Sequence, residues 1–584
     1  MKQAFSSILL IGLAQFAFSQ TPLSTEIAGK IIGVTEQHIK IGEDEVPVAA
    51  DGTFLFTSTA PYANFVDVQY GSMSWSVYLE PGKRLELEVK SSDLSSLEYR
   101  GELAGANACL KNISLLQPGT NRFFADNWVR IYSQDERAFV ALIDSFKNEY
   151  RGTLEAYQKE HGTIPGPFVN LLDADIDFGF NALIVDFPTL HQRFTGRQST
   201  LSQQSMDYIA SSHLNDTAVM HLSSFQRYGK KWIDYYVDLL LGKSADRKHY
   251  NLKKMDVLPT VLSSTFANPT LRDYWLSEYL QEQIDNTGIA NSETYVKEFD
   301  RVCTTPAFRK KVDTLYASYA EAEKDHVVKT FKRVNGFVLN AHVFYPADFE
   351  PGQNRPAMVI FHGGGFVLGN PSWAYGKAKH YASKGMIAVA AQYRLCNFKD
   401  VTPIEAIEDA KDLMRWLRAN ADSLGIDADK IAASGWSMGA QLCASLAVFA
   451  DTLPGTTISC SPNALLLTSP GTNARGWFTE LLNGAKVNPQ DYSPVDHIRP
   501  GLPPAIILQG RDDSVTPLQD VQRFHDALIA AGNSCEMWIY DHVGHLFTPT
   551  SLGDSGWPQP DPEIQRKADD KSDEFLSRLG YTNN

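Results

Sequence analysis

From about Val327 onward, short apolar runs alternate with longer amphipathic stretches, and this alternation constrains the fold more than any other feature of the chain. The strand-like runs are 337–345, 357–361, 386–393, 430–433, 464–467, 505–508 and 536–540. Helix-like stretches lie at 375–384, 404–424, 438–449, 518–531 and 562–579. Apolar strands separated by amphipathic helices must bury both faces of the sheet they form. The pattern therefore predicts an α/β fold with a mostly parallel sheet covered by helices on both faces.

Two different textures precede it. Residues 24–104 show period-two runs such as Phe54-Leu55-Phe56 and Leu85-Glu86-Leu87-Glu88-Val89, broken by turn pairs at Asp51-Gly52, Pro61-Tyr62 and Pro81-Gly82. Such alternation predicts a small all-β, sandwich-like domain. Residues 105–326 turn helical, with stretches at 135–157, 232–241, 274–284 and 308–323. Within it Tyr235, Tyr236, Leu239 and Leu240 have the spacing of a helix core face. A chain of 584 residues is too long for one core. The expected organisation is a signal peptide (1–19), a β-domain (20–104), a helical region (105–326) and a catalytic α/β domain (327–584).

The N-terminus carries Lys2, a mostly apolar stretch over 8–18 and the small-residue pattern Ala17-Phe18-Ser19. This reads as a secretory signal cut after Ser19 and predicts a periplasmic or secreted protein. No later apolar run reaches the roughly 18 residues of a membrane helix, so no transmembrane segment is expected in the mature protein. A net charge of -15 disfavours a nucleic-acid partner. The six cysteines are scattered, with no C-x-x-C pair, which argues against a zinc or thioredoxin-type site. Cys396 and Cys443 fall in apolar segments and are read as small buried hydrophobes.

Chemistry concentrates in four places. Gly435-Trp436-Ser437-Met438-Gly439 lies between a strand-like and a helix-like stretch. A serine hydroxyl is a weak nucleophile until a tight turn holds it beside a base, and G-x-S-x-G supplies that turn. Chance alone gives about 0.2 copies of the motif in a chain this long, so its context matters. His362-Gly363-Gly364-Gly365 follows the run 357–361, and only about 0.004 copies are expected by chance. Its glycines leave backbone N–H groups free, so Gly364 and Gly365, with Met438 after the serine, are the candidate oxyanion donors. His362 itself is assigned a structural role. An acid is sought after the run 505–508, where Asp512 and Asp513 compete. In Asp541-His542-Val543-Gly544-His545-Leu546-Phe547 the base is assigned to His545, with His542 as alternative. Trp436, Trp373 and Tyr375 are candidate substrate-binding residues. Asp409 and Trp416 are read as packing or capping residues, and Arg394 as a structural hydrogen-bond donor.

Together these motifs resemble the esterase/lipase branch of the α/β-hydrolase superfamily that carries the H-G-G-G loop. Pro403-Ile404-Glu405-Ala406-Ile407-Glu408-Asp409-Ala410-Lys411 and Leu424-Gly425-Ile426-Asp427 are similar to its acetyl-esterase and hormone-sensitive-lipase-like members. The resemblance covers about 250 residues. It implies the chain order Ser437, Asp513, His545 for the catalytic triad, and it selects Asp513, which lies three residues after Gly510 and shortly before Val515 and Pro517. One departure is Met438-Gly439-Ala440, where many relatives have Ala-Gly-Gly. The N-terminal region, with Asp51-Gly52-Thr53-Phe54, Leu79-Glu80-Pro81-Gly82 and Gly105-Ala106-Asn107, resembles a small β-domain of Bacteroidetes secreted proteins.

With the N-terminal signal, the resemblance implies an exported serine carboxylesterase that needs no metal or organic cofactor and acts on a small ester or acylated carbohydrate, acetyl esters first among them. Its alternatives are a serine exopeptidase of the prolyl-peptidase type and a catalytically inactive surface binding protein.

Overall fold

The computed structural model describes residues 24–210, 213–242, 247–289, 292–396, 401–449, 457–474, 477–482, 487–554 and 557–582. The expected signal peptide lies outside them. The chain divides into two compact units, the first comprising Met1–Lys243, Val257–Leu276 and Cys303–Arg309, the second Ser244–Asp256, Ser277–Val302 and Lys310–Asn584.

In the first unit, strands β1 (Thr25–Ile32), β2 (His38–Ile41), β3 (Asp44–Pro47), β4 (Thr53–Ser58), β5 (Asn64–Tyr70), β6 (Met73–Leu79), β7 (Arg84–Lys90) and β8 (Asp93–Arg100) form two four-stranded sheets. Their orders are β4-β1-β7-β8 and β3-β2-β5-β6. Helices follow without a break. Asn107, fully buried, donates to the Tyr78 and Leu103 carbonyls and accepts from the Tyr78 N–H at 2.7 Å. Tyr78 also packs edge-on against Phe168. These contacts make strands and helices one unit.

The helix Ser223–Leu241 corrects one expectation. Its buried face is formed by Phe225, Tyr228, Trp232, Ile233 and Val237, whereas Leu239 and Leu240 are exposed. The apolar stripe continues past the last turn that has a partner to pack on, so spacing alone set the wrong phase.

In the second unit, β9 (Val327–Val334), β10 (Phe337–Phe344), β11 (Arg355–Phe361), β12 (Ile387–Ala391), β13 (Ile426–Trp436), β14 (Ala464–Thr468), β15 (Ala505–Gly510) and β16 (Cys535–Tyr540) form one sheet. Its order is β16-β15-β14-β13-β11-β12-β10-β9. The pairs from β12 through β16 are parallel, while β10 runs antiparallel to both β9 and β12. This is the α/β arrangement, with a mostly parallel sheet, that the sequence pattern predicts. Both faces are buried, as the apolar runs require: Val359 and Phe361 enter one core and Met358 and Ile360 the other. The expected helix 404–424 breaks at Asn420 into Pro403–Ala419 and Ala421–Leu424. Asp409 in it is fully buried and accepts from the backbone and guanidinium of Arg394 and from Lys332. Only the loss of both cations would leave this buried carboxylate without a counter-charge. Cys396 and Cys443 are fully buried, as their apolar segments predict. Among the described residues no helix is long and apolar enough to cross a membrane.

Candidate active site

The parallel strands end on one edge of the sheet, and each loop there delivers one component. Strand β13 runs into Ser437, which has φ 53° and ψ -121°, and the helix Met438–Val448 starts at the next residue. A non-glycine residue in this region is strained and is held only by its surroundings. The Ser437 N–H donates to the Thr468 carbonyl at 2.9 Å, and its carbonyl accepts from Ala440 and Gln441. The flanking glycines are steric necessities. A Cβ on Gly439 would sit 2.1 Å from the Phe361 carbonyl oxygen, and one on Gly435 would sit 2.4 Å from the Gly439 carbonyl carbon.

The His545 side chain reaches Ser437 from the turn after β16. Its Nε2 lies 3.0 Å from Ser437 Oγ and its Nδ1 lies 2.9 Å from Asp513 Oδ2. A carboxylate only accepts, so Nδ1 carries the proton and Nε2 keeps its lone pair for the serine hydroxyl. Asp513 Oδ1 accepts from the N–H groups of Val515 and Thr516; Oδ2 accepts from Thr516 Oγ1 and Gln509 Nε2 as well as from His545. Burial raises the pKa of this carboxyl, but the bonds from His545 and Thr516 outweigh it and hold it below the usual range. Asp513 is therefore ionised at neutral pH. The competing candidates stand apart: Asp512 and His542 are exposed and take no part in this line.

The loop after β11 carries Gly364 (φ 105°) and Gly365 (φ 64°), both half-buried. A Cβ at Gly364 would meet the Leu368 carbonyl oxygen at 2.2 Å. Among the described residues the N–H groups of Gly364, Gly365 and Met438 donate to no protein acceptor. His362 braces this loop from inside: its Nδ1 donates to the Gly363 carbonyl at 2.7 Å and its ring stacks on Tyr393. Burial pushes the His362 imidazole down to about 4, against the opposing bond to Gly363. Above pH 6.5 the ring is neutral folded or unfolded. As pH falls from 6.5 to 4 the unfolded chain takes up a proton that the folded chain refuses. Stability of the second unit should therefore drop by up to about 3 kcal/mol across that window. Urea unfolding between pH 4 and 8 checks this, and His362→Gln should flatten the slope below pH 6.5.

The three candidate substrate-binding residues separate. Trp436 lies against the glycine loop, its Cδ1 2.7 Å from where a Cβ on Gly363 would be. Trp373 donates from Nε1 to the Asp285 carbonyl at 2.8 Å and meets Trp557 edge-on. Tyr375 is a correction. It is buried in the core, and its hydroxyl contacts Glu323 and His342, so it presents no platform to a substrate. As the first residue of the helix Tyr375–Ser383 it turns into the fold.

Two supports escaped the sequence reading. Asp554 accepts from the His545 N–H at 2.8 Å with Oδ1, and from the Ser514 N–H and Oγ with Oδ2. It thereby ties the Asp513 loop to the His545 loop. No motif marks it. Asp554→Ala should lower kcat for ester hydrolysis by roughly 10–100-fold with KM within about twofold, because sub-ångström placement of the base is lost while binding groups remain. Steady-state kinetics check it. The second support is the end of the helix Pro269–Thr287: the Asp285 carbonyl also accepts from Asn370 Nδ2, and the Asn286 carbonyl from the Gly369 N–H. Residues 285 and 286 thus hold the loop that carries Gly364 and Gly365.

A family described as alpha/beta hydrolase fold matches residues 358–483. Esterase 2 of Thermogutta terrifontis is 32% identical, with 45% of this chain and 97% of that chain covered, at a TM-score of 0.41. Endo-1,4-beta-xylanase B of Butyrivibrio fibrisolvens is 28% identical over 212 residues, 33% of this chain and 32% of its own. Isoprenylcysteine alpha-carbonyl methylesterase ICME of Arabidopsis thaliana is 25% identical over 217 residues, 33% of this chain and 50% of its own. The chain thus spans only a third to a half of the length of these two curated relatives.

Proposed function

The chain belongs to the α/β-hydrolase fold family and carries an esterase-type serine hydrolase domain, and from that premise we propose that it is an exported carboxylesterase that removes small acyl groups, acetyl first, from carbohydrate. The observation that carries this reading is the unbroken line from Ser437 Oγ through His545 to Asp513. His545 Nε2 takes the hydroxyl proton as Ser437 Oγ bonds to the ester carbonyl carbon. Negative charge moves to the carbonyl oxygen, where the N–H groups of Gly364, Gly365 and Met438 receive it. The intermediate collapses, the ester C–O bond breaks, and His545 returns the proton to the departing alcohol. Water then gives its proton to His545 and attacks the acyl-serine, releasing the acid and restoring Ser437. Asp513, kept ionised, balances the transient imidazolium.

Support for the carbohydrate part is the 212-residue similarity to a protein named as a xylanase. Support for export is the N-terminal pattern around Ala17-Phe18-Ser19. The test offers the purified protein p-nitrophenyl acetate, p-nitrophenyl octanoate and acetylated xylo-oligosaccharides. Faster turnover of acetate than octanoate, with acetate released from the oligosaccharides, is the expected result. Ester turnover without acetate release from any acetylated sugar would remove the carbohydrate part and leave the esterase.

A further inference from the structure

A second group of chemically capable side chains stands where β9 begins and the antiparallel β10 ends. Glu323 follows the helix Pro306–Ala322, His326 immediately precedes β9, and His342 lies on β10. Glu323 Oε2 is 3.6 Å from His326 Nε2 and 3.4 Å from His342 Nδ1, and the two ring nitrogens are 2.9 Å apart. Four ligands around a zinc ion at 2.0–2.1 Å lie about 3.3 Å from one another, and these three separations bracket that value.

Hydrogen bonding among the three does not account for so close a gathering. An imidazole nitrogen offers one proton or one lone pair, in the ring plane. His342 Nδ1 nevertheless has His326 Nε2, the Tyr375 hydroxyl (2.7 Å) and Glu323 Oε2 around it. A cation drawing one lone pair from each ring and one from the carboxylate satisfies all three at once. The surroundings suit this. Tyr375 donates to the other Glu323 oxygen, Oε1, at 2.7 Å. The far nitrogen of His326, Nδ1, faces Asp325 Oδ1 at 3.4 Å, the carboxylate–histidine arrangement that orients and strengthens metal-binding imidazoles. The His326 side chain is fully buried and packs on Phe344, whereas Glu323 is 32% exposed, leaving a path for a cation and a water. The other grouping of this kind among the described residues, Asp173, Asp177 and His213, already has its charge answered by Arg151 and Lys147.

We propose that Glu323, His326 and His342 form a binding site for a divalent transition cation, zinc by its mixed nitrogen and oxygen donors, with water completing four-fold coordination. The ion pins β9 and β10 to the end of the preceding helix and performs no step of ester hydrolysis.

The full-length protein, stripped with a chelator and dialysed, is titrated with Zn2+ in a calorimeter. One tight equivalent per chain is expected. Asp325→Asn should weaken it by roughly 10–100-fold, as loss of an outer partner does. The double change Glu323→Gln with His326→Gln should abolish it while the circular dichroism spectrum is kept. Absence of tight binding by the wild-type chain, or equal binding by the double variant, overturns the proposal. Should the double variant fail to fold, cobalt-loaded wild type decides: the intense visible absorption of four-coordinate Co2+ is expected, and the weak absorption of a six-coordinate ion overturns it.

Discussion

Ser437→Ala is expected to lower kcat for p-nitrophenyl acetate by on the order of 10^4–10^6 while the protein stays folded. The magnitude follows from what the hydroxyl alone does. Without Oγ no acyl-enzyme forms, and what remains is the modest rate supplied by the oxyanion donors and binding. Folding should survive because Ser437 is held through its backbone, by the Thr468 carbonyl and by the helix it opens, while its side chain contacts His545. The positive φ of Ser437 disfavours alanine little more than serine, since both carry a Cβ. The measurement is steady-state hydrolysis by both proteins beside their thermal unfolding. An inactive variant with an unchanged unfolding midpoint fits; a variant retaining more than about a tenth of the rate does not.

Asp513→Asn should cost about 10^4 in kcat with almost no change in geometry. The direction can be worked out from the bonds. Asp513 Oδ1 accepts two backbone N–H groups, from Val515 and Thr516, so the amide oxygen of an asparagine takes that place. Its NH2 then faces His545 Nδ1, which must present a lone pair. The ring proton moves to Nε2, and the base can no longer accept from Ser437. Asp512→Asn, one residue away and exposed, should leave kcat within about twofold. Kinetics of the two variants side by side separate a charge that orients the base from a charge that merely lies near it.

The legibility of this site in the sequence has a physical basis. The elbow, the glycine loop and the order of the three polar residues are local: each needs a particular backbone within a few residues of a strand end, and that demand writes itself into short motifs. The serine's flanking glycines are forced by carbonyls 2.1–2.4 Å from any added Cβ. Asp554 left no such trace, because its bonds to Ser514 and His545 close across separate loops and any acceptor arriving there would serve. Tyr375 misled because nearness to Trp373 along the chain says nothing of which way the first turn of a helix faces. The edge strand Val327–Val334 was hidden by its own composition. Lys329, Lys332 and Arg333 interrupt the apolar pattern, which suits an exposed edge that must not pair with another chain. The cluster of Glu323, His326 and His342 was invisible for a further reason: the third residue joins only when β10 pairs back on β9.

The central claim is that Ser437 is the covalent nucleophile. Its most direct test is the intact mass of the protein after reaction with a fluorophosphonate, with the modified residue located by peptide mapping. A single adduct on Ser437, absent from Ser437→Ala and slowed in His545→Ala, is the predicted result. An ester-hydrolysing protein that takes no adduct, or takes it on another serine, would contradict the account.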